Sequence, residues 1–350
     1  MGKQGRQDVI GTLCLTVCAL IWGFAFVSQV QGMDAVTPLF FNAARFTLGA
    51  VSLLPILLMR RRKRTGTPTP AASSDAVVFD GVMHAADAPT PEPRSPRPFL
   101  ANPIVVGVIC GIVLFSASTL QQYGILYGKS AGRAGFLTAL YIVMVPLLAF
   151  AFLHRRINVL VGVAVVLAVA GFYCLCITDG FGSIGLADLL LLLTALLFAT
   201  HILVIDEFGA KVDAIVLSFV QFCTTATLSW IGSAIEGSID WAGAASAWMP
   251  ILYAGIGSVG VAYTLQVVGQ QWVPPTRASL LMSLESFFSA VGGAIFLGEV
   301  MTPRGYLGCA LIFAGTMLAQ APAKLPKWMR RNDAAQTAQT APGKPAEPGE

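Results

Sequence analysis

Ten long apolar stretches, joined by short polar connections, constrain the fold of this 350-residue chain more than any other feature. A helix needs about 20 apolar residues to cross the hydrocarbon core of a bilayer. The stretches approach or reach that length, and none alternates apolar and polar residues as the strands of a membrane barrel do. We therefore predict an all-α integral membrane protein with ten transmembrane helices, at residues 9–30, 36–59, 103–126, 132–153, 158–178, 185–205, 213–234, 246–269, 276–297 and 303–321.

The composition supports a membrane location. The chain is 55% hydrophobic and only 11% charged, whereas soluble domains carry about 25% charged residues. The lipid bilayer is therefore the expected surrounding, and the modest net charge of +4 gives no indication of nucleic acid binding. The seven cysteines lie within the apolar stretches or at their ends, without metal-ligand spacing, so we expect no metal, no cofactor and no disulfide framework.

The second five stretches partly repeat the first five. Arg133-Ala134 recurs 144 positions later as Arg277-Ala278. Other matches at this offset are Gly111 with Gly255, Gln122 with Gln266, Leu140 with Leu284, Phe152-Leu153 with Phe296-Leu297, and Ala170-Gly171 with Ala314-Gly315. Because five is an odd number, the second set enters the membrane in the opposite orientation. We predict two inverted five-helix repeats, an architecture typical of secondary transporters.

The repeats define the domain organisation. The first repeat covers residues 1–59 and 103–178, and the second covers residues 185–321. The first two spans of each repeat align at an offset of about 176, which pairs Arg45 with Gln221. The larger offset reflects an insertion at 60–102.

Two segments outside the repeats have a composition typical of disorder. Residues 60–102 are rich in Pro, Ser, Thr and Ala, and such a segment buries too little apolar area to order itself. We predict a disordered cytoplasmic loop there and a disordered cytoplasmic tail at 322–350. With a cytoplasmic N-terminus, only Lys129, Arg133 and Arg304 among the Lys and Arg residues fall outside. This asymmetry predicts that both termini are cytoplasmic, in the inner (cytoplasmic) membrane.

Several short sequences resemble the drug/metabolite transporter superfamily, in particular its EamA-like ten-span transporters. They are Ile21-Trp22-Gly23 in the first span, Arg45-Phe46 in the second, Val145-Pro146 in the fourth, and Arg277 to Glu285 followed by Phe296 to Glu299 in the ninth. The resemblance covers nearly the whole chain except the 60–102 loop and the tail. It departs at Ser286, where the family commonly has proline.

The resemblance implies export of small polar metabolites such as amino acids or amines by alternating access. A drug or cation efflux carrier is the alternative within the same family. The resemblance also implies that spans 1–4 and 6–9 form the cavity while spans 5 and 10 pack peripherally. A channel and an integral membrane enzyme remain weaker alternatives, since the chain has no H-E-x-x-H, G-x-S-x-G or P-loop motif. Nothing in the sequence fixes the oligomeric state, and a homodimer stays open.

Two charged residues are the leading candidates for a substrate site. Arg45 lies about 14 Å into its span and Glu285 about 12 Å past Arg277, at 1.5 Å per residue, so both should be near the middle of the bilayer. A charge at that depth costs at least about 2.5–3.5 kcal/mol on insertion scales. We expect Arg45 to hold a carboxylate or phosphate, and Glu285 to bind an amine or a proton. The alternative is an Arg45–Glu285 ion pair that fixes the two repeats together.

Glu285 also suggests proton coupling. A carboxylate held away from water can exchange protons near neutral pH, and the proton gradient could then drive transport.

Uncharged polar and aromatic side chains within the spans form a second candidate set. Its members are Trp22, Gln122, Tyr141, Gln221, Tyr263, Gln266 and Ser283. Glutamine both donates and accepts hydrogen bonds, which suits zwitterions. The alternative is hydrogen bonding between helices, worth about 0.6 kcal/mol on average in membranes.

Three other features have structural interpretations. His201 is expected at the membrane interface near the end of the sixth span, and Glu299 is expected to make a helix-end or hinge contact. The G-x-G-x-x-G sequence at Gly255–Gly260 lies inside a span, so it predicts close helix packing rather than a dinucleotide site.

Overall fold

The structure, a computed structural model, describes residues 3–64, 102–154, 159–176, 184–209, 213–270, 272–273 and 281–319. Every regular element among these residues is helical. The helices are α1 (Lys3–Gly32), α2 (Pro38–Arg64), α3 (Pro103–Gly128), α4 (Ala131–Ala139), α5 (Tyr141–Leu153), α6 (Val159–Cys176), α7 (Leu186–Gly209), α8 (Ala214–Glu236), α9 (Trp241–Ser246), α10 (Trp248–Leu252), a π-helical segment (Tyr253–Ala262), α11 (Tyr263–Gln270), α12 (Leu284–Phe296) and α13 (Pro303–Ala319).

Eight helical stretches within the described residues are long and apolar enough to cross a membrane. They coincide with the first eight predicted spans, so the prediction of an all-helical membrane protein is confirmed. The predicted ninth span is represented by the shorter apolar helix α12, since residues 274–280 lie outside the described residues. The tenth corresponds to α13, which has 17 residues. The total of ten spans stays a prediction.

Local sequence sets the helix ends. Pro103 and Pro303 occupy the first position of α3 and α13, where a missing N–H costs nothing because it has no intrahelical partner. The Asn102 side chain caps α3 by accepting a hydrogen bond from the Ile104 N–H at 2.9 Å. Gly237 ends α8 in the left-handed conformation, with φ of +65°, which glycine adopts without steric cost.

The predicted loop and tail lie mostly outside the described residues. α2 continues to Arg64, so positions 60–64 of the predicted loop belong to a helix instead. Residues 65–101 and 320–350 are not among those described, and the disorder predicted for them stays a prediction.

Two predicted spans are interrupted at matching positions. The span predicted at 132–153 is divided at Leu140 into α4 and α5. Pro146 lies inside α5, six residues after the break, where its ring crowds the carbonyl four residues earlier. In the other repeat, α12 begins at Leu284, which is 144 residues after Leu140. As a result, Tyr141 and Glu285 both lie in the first turn of a helix that starts inside a predicted span.

The eighth predicted span also departs from a regular α-helix. It comprises α10, the π-helical segment and α11, and the π-helical segment contains the glycine-rich sequence Gly255–Gly260. π-Helical geometry is rare and frequently occurs at functional sites.

Helix pairing gives the bundle a regular plan. α2 packs on α8, and α3 packs on both α7 and α8. α1 packs on α12, the π-helical segment and α11, while α4 packs on α12. α6 and α13 pack chiefly against each other, at the periphery of this group.

Glycines mark the closest helix contacts, and these contacts occur in equivalent pairs. A β-carbon at Gly111 would lie 2.5 Å from Thr224 Cβ, and one at Gly255 would lie 2.7 Å from Leu48 Cβ. The two contacts are equivalent in the two repeats, because Gly255 lies 144 residues after Gly111 and Thr224 lies 176 residues after Leu48. At the periphery, a β-carbon at Gly171 would lie 2.7 Å from the Gly308 carbonyl oxygen.

The peripheral contact of Gly171 also has an equivalent at the offset of 144 residues. A β-carbon at Gly315, 144 residues after Gly171, would lie 2.9 Å from the carbonyl oxygen of Ala164. Ala164 is itself 144 residues before Gly308. Close approach of this kind requires small residues in membrane helix interfaces.

We call the end of the bundle where α1 ends and α2 begins the distal end. The described connections at this end are residues 33–37, 129–130, 184–185, 237–240 and 297–302.

Candidate functional site

Arg45 lies in α2 with its charge enclosed by aromatic rings. The residue is only 6% exposed, and its guanidinium carbon is 4.9 Å from the centre of the Phe46 ring and 5.8 Å from that of Phe41. The Nε atom is buried without a hydrogen-bond partner. Ring faces attract a cation by about 0.5–2 kcal/mol, which offsets only part of the cost of removing it from water.

Glu285 supplies a carboxylate from the other repeat. It lies in the first turn of α12 and is half-buried, and the positive end of the helix dipole favours a negative charge there. The carboxylate lies within electrostatic range of the Tyr141 hydroxyl and the Cys18 thiol. Considering the described residues only, Glu285 and Arg45 form no ion pair with each other. The alternative of a fixed Arg45–Glu285 pair therefore does not hold in this conformation.

Three predicted glutamines differ in their hydrogen bonding. Gln122 is fully buried and neither of its amide atoms has a partner. Gln266 donates from Nε2 to the Met282 sulfur at 3.3 Å, while its Oε1 is unpartnered. Gln221 uses its Oε1 in a hydrogen bond with His201. An unsatisfied buried polar group costs about 1–3 kcal/mol, so the free amide atoms mark places where a ligand or water would be stabilised.

Other predicted site residues already have partners. The Trp22 indole N–H donates to the Ser258 carbonyl oxygen at 3.0 Å, which ties α1 to the π-helical segment. The Tyr263 hydroxyl accepts a hydrogen bond from Ser218 Oγ at 2.7 Å. These two residues match the alternative of hydrogen bonding between helices.

Two further predicted residues also make contacts inside the bundle. The Ser283 hydroxyl donates a hydrogen bond to the Met317 sulfur at 3.9 Å. The Tyr141 ring packs at 6.5 Å from the Phe198 ring, with its hydroxyl near Glu285 as described above.

The structure shows His201 packed inside the helix bundle. It is only 9% exposed and its Nε2 lies 3.0 Å from Gln221 Oε1, while its expected depth near the membrane interface stays a prediction. The sequence offered one usable signal, namely the apolar residues that continue past His201 to Ile205 within the candidate span.

The prediction for Glu299 as a helix-end contact agrees with the structure. Its carboxylate accepts hydrogen bonds from Ser130 Oγ at 2.8 Å, from the Gly132 N–H at 3.2 Å and from the Ala131 N–H. An acidic residue at the N-terminus of a helix satisfies free N–H groups and interacts favourably with the helix dipole. Here it ties the start of α4, in the first repeat, to the α12–α13 connection of the second.

Two more contacts link the repeats at the distal end. Arg133 donates to the Asp188 carboxylate from Nε at 2.7 Å and from Nη2 at 2.5 Å. Asp188 is only 2% exposed and also accepts the Gly185 N–H at 3.1 Å. The Tyr123 hydroxyl donates to Glu236 at 2.5 Å. The sequence analysis did not identify Asp188, although an acidic residue at the start of an apolar span was a visible signal.

An ion pair of a different kind lies nearby. Lys129 Nζ is 3.6 Å from Asp34 Oδ1, and both side chains are about two-thirds exposed, at 69% and 66%. Both residues belong to the first repeat. An exposed pair of this kind contributes about 0–1 kcal/mol.

A cavity of about 250 Å³ opens at the distal end. Its lining residues are Met33, Ala35, Val36, Thr37, Pro38, Leu126 and Asp240. Neither Arg45 nor Glu285 lines it, so the polar side chains described above, and not this cavity, locate the candidate substrate site. Asp240 is already engaged there, because its carboxylate caps α9 through the Gly243 N–H at 2.9 Å.

Metal binding finds no support in the described part of the chain. Among those residues, no group of three or more His, Cys, Asp or Glu side chains could hold a metal ion. None of the seven cysteines, all of which lie in the described part of the chain, forms a disulfide.

Eight of the described helical stretches are long and apolar enough to span a membrane, and Arg45 has no ion-pair partner among the described residues. Both features are typical of a multi-pass membrane transporter. The profile of the EamA-like transporter family matches residues 9–177 and matches again over residues 185–320. The chain therefore belongs to the EamA-like transporter family, within the drug/metabolite transporter superfamily.

Similar proteins agree with this assignment. An uncharacterized transporter of Archaeoglobus fulgidus is 25% identical over 91% of this chain and 88% of its own length. The threonine/homoserine exporter RhtA of Escherichia coli K12 is 30% identical over 55% of this chain and 69% of its own. One protein of known crystal structure is 19% identical and covers 92% of this chain and 98% of its own, with a TM-score of 0.56. That last likeness shows similarity of fold alone.

Proposed function

We propose that this protein is a secondary active transporter that exports small polar metabolites, amino acids above all, across the cytoplasmic membrane by alternating access. One observation carries the proposal: Arg45 and Glu285 lie within predicted spans of different repeats, and neither has an ion-pair partner among the described residues. A protein that keeps two opposite charges unpaired inside a membrane must gain function from them, because each is costly there.

The inverted-repeat arrangement supports the same proposal. The family profile matches each half separately, and the glycine contacts at Gly111 and Gly255 are equivalent under the two sequence offsets. The helix pairing follows the same rule, because α2 with α8 and α6 with α13 each join equivalent spans of the two repeats. We propose ten spans in two inverted repeats, with a substrate site between them near the bilayer midplane.

The free groups of the site suit an amino acid. Arg45 can bind a carboxylate through its guanidinium N–H donors, and Glu285 can bind an ammonium group. A zwitterion supplies both partners and leaves neither protein charge uncompensated. The relative RhtA is named a threonine/homoserine exporter, so L-threonine is the first substrate to test.

The distal contacts define one end state of alternating access. Arg133 with Asp188, Tyr123 with Glu236, and Glu299 with the start of α4 all join the first repeat to the second. We propose that the distal end faces the outside and is closed in this conformation, with both termini cytoplasmic. The break between α4 and α5 at Leu140, near Pro146, is the proposed point of flexure as the distal end opens.

Proton coupling through Glu285 is part of the proposal. The carboxylate would bind the substrate ammonium when ionised and would return across the membrane protonated, so that substrate leaves as protons enter. Tyr141 and Cys18 are the groups within electrostatic range that could take part in relaying the proton.

Efflux of organic cations is the second candidate. The Glu285 carboxylate, which lies within electrostatic range of the Tyr141 hydroxyl, would suit a lipophilic cation. Such a substrate would leave Arg45 buried without a counter-ion, and we therefore favour a zwitterion. A channel or a membrane enzyme has less support, since the relatives are named as transporters.

Counterflow in proteoliposomes tests the proposed function. Vesicles preloaded with L-threonine should take up radiolabelled L-threonine faster than empty vesicles, and uptake should saturate. A carrier shows both behaviours because substrate on the far side speeds its return. Uptake that rises linearly with concentration, without stimulation by preloading, would indicate a channel. The absence of any uptake of L-threonine or of the other amino acids would contradict the proposal.

A further inference from the structure

His201 is a buried polar residue that the proposed substrate site does not yet use. It lies in α7, is 9% exposed, and contacts Gln221 of α8 through a hydrogen bond of 3.0 Å between His201 Nε2 and Gln221 Oε1. An amide oxygen can only accept a hydrogen bond. In this arrangement the imidazole therefore carries its proton on Nε2 and donates it to Gln221.

This hydrogen bond determines what Gln221 can offer to a ligand. With its oxygen engaged, the amide keeps two N–H donors on Nε2, and no acceptor for them is found among the described residues. Gln221 is itself only 2% exposed, so its amide has few alternative partners in water. His201 thus converts a side chain that both donates and accepts into one that presents donors only.

The position of Gln221 in the second repeat indicates what its N–H donors could bind. Gln221 lies 176 residues after Arg45 and is its equivalent in the second repeat. The equivalence is reproduced in the packing, since a β-carbon at Gly111 would lie 2.9 Å from the Gln221 carbonyl oxygen and one at Gly255 would lie 3.0 Å from that of Arg45. The two repeats therefore present N–H donors from equivalent positions on α2 and α8.

We infer that His201 is a positioning residue: it holds the Gln221 amide so that its N–H groups donate to the carboxylate of the transported substrate, opposite the guanidinium of Arg45. This inference rests on the proposed function. It narrows the substrate to small molecules that carry a carboxylate, because an amine without one would leave the buried Nε of Arg45 unsatisfied and would offer no acceptor to the Gln221 N–H groups.

Substitutions at His201 test the geometry. Gln places its Nε2 close to the position of the histidine Nε2, so His201→Gln keeps a donor to Gln221 Oε1, whereas His201→Phe removes it. Thr200→Val is the matched control on α7, because Thr200 bonds only within its own helix, to the Leu196 carbonyl oxygen, on an exposed face. The readout is radiolabelled L-threonine transport by full-length protein in proteoliposomes.

We expect His201→Phe to raise the KM for L-threonine roughly tenfold with Vmax within about twofold, which corresponds to about 1.4 kcal/mol of binding. His201→Gln should recover most of the affinity, and Thr200→Val should behave as the wild type. In a protein that already carries Gln221→Leu, His201→Phe should raise the KM for L-threonine little further, because the two residues act as one unit.

Two competitors separate a carboxylate effect from a general loss of packing. 1-Amino-2-propanol is threonine without its carboxylate, and 3-hydroxybutyrate is threonine without its amine. His201→Phe should weaken inhibition by 3-hydroxybutyrate and leave inhibition by 1-amino-2-propanol unchanged. Equal weakening of both competitors, or equal behaviour of His201→Phe and His201→Gln, would overturn the inference while the proposed function stands. A wild-type protein that transports no amino acid would overturn the proposed function, and the inference with it.

Discussion

At the scale of single residues, Arg45 is a guanidinium that no carboxylate among the described residues neutralises. It has ring faces at 4.9 and 5.8 Å. Cation–π contacts stabilise a buried cation without fixing a hydrogen-bonding partner. The guanidinium N–H groups therefore remain available to a ligand, which is what a binding site for an anionic group requires.

Replacing Arg45 should weaken binding of the substrate carboxylate. Hydrogen bonds to charged groups contribute about 1.5–3 kcal/mol, so Arg45→Gln should raise the KM for L-threonine roughly 10- to 100-fold. Arg304→Gln is the control, since Arg304 lies over the Tyr173 ring at 5.0 Å in the peripheral α6–α13 pair. Proteoliposome kinetics measure both variants. If the two substitutions changed the KM equally, Arg45 would have no special role in binding.

Glu285 should account for the pH dependence of transport. In the wild type, a lower pH on the side of the membrane opposite to the substrate should accelerate L-threonine transport. The reason is that the Glu285 carboxylate, once it has released the substrate, returns across the membrane in its protonated form. Glu285→Gln cannot exchange that proton, and its flux should be low and independent of the imposed pH gradient. Asp240→Asn serves as the control, because Asn also caps helices well and Asp240 caps α9. Retention of full pH dependence by Glu285→Gln would remove proton coupling from the account.

The sequence could identify some of these residues and not others. Arg45 and Glu285 are visible because a charge inside an apolar run stands out by itself. The contact of His201 is not visible in the sequence, since its burial depends on which helix faces α7, and α8 supplies the partner Gln221. The hydrogen bond from the Trp22 N–H to a carbonyl of the π-helical segment has no signal in the sequence either, and the substrate contact predicted for Trp22 stays a prediction. Pairings between distant helices are not encoded in local pattern.

At the scale of helices, the start of α4 is held between two parts of the second repeat. Glu299 binds its N–H groups from one side and Asp188 binds Arg133 from the other. Because Asp188 is nearly fully buried, its loss removes the carboxylate that binds two N–H groups of Arg133. Hydrogen bonds to charged groups contribute about 1.5–3 kcal/mol.

Hydrogen exchange should distinguish the two acid–base pairs at the distal end. Asp188→Asn weakens a buried contact between the repeats, so the amides at the start of α4 should exchange faster as the distal end opens. Asp34→Asn removes an exposed pair within one repeat, and the same amides should exchange as in the wild type. Mass spectrometry of peptides covering 130–139 provides the measurement. Equal exchange in both variants would mean that Asp188 does not hold the distal end closed.

Glycine substitutions should test the helix packing. A β-carbon at Gly255 would lie 2.7 Å from Leu48 Cβ, and overpacking of this kind costs about 1–3 kcal/mol. Gly255→Ala should therefore lower the Tm of the purified protein by several degrees, and Gly111→Ala should do so to a similar extent. At Gly162 no atom lies within 4 Å of the added carbon, so Gly162→Ala should keep or raise the Tm. A similar loss for Gly162→Ala and Gly255→Ala would contradict the packing described.

The sequence predicts where the membrane-spanning helices lie better than it predicts where they are interrupted. Length and apolar content identify the spans because the bilayer imposes one thickness on all of them. The break at Leu140 has no proline beside it, since Pro146 lies inside α5, and α12 likewise begins at Leu284 without a proline in its sequence. The π-helical segment at Tyr253–Ala262 had no signal beyond its glycines.

At the scale of the whole molecule, the two proposed inverted repeats would provide both the substrate site and its movement. The equivalent glycine contacts in the interior and at the periphery are what a pseudo-two-fold arrangement requires. Because the site residues differ between the halves, with Arg45 opposite Gln221 and Glu285 opposite Tyr141, the pocket proposed between them is electrically asymmetric. An asymmetric pocket can orient a zwitterion in one direction.

The most direct test of this account is an experimental structure of the protein in lipid nanodiscs with bound L-threonine. We expect ligand density between the repeats, with the carboxylate of L-threonine at Arg45 and Gln221 and its ammonium group at Glu285. Density in the distal cavity beside Met33 and Asp240, or a direct ion pair between Arg45 and Glu285 with the ligand elsewhere, would contradict it.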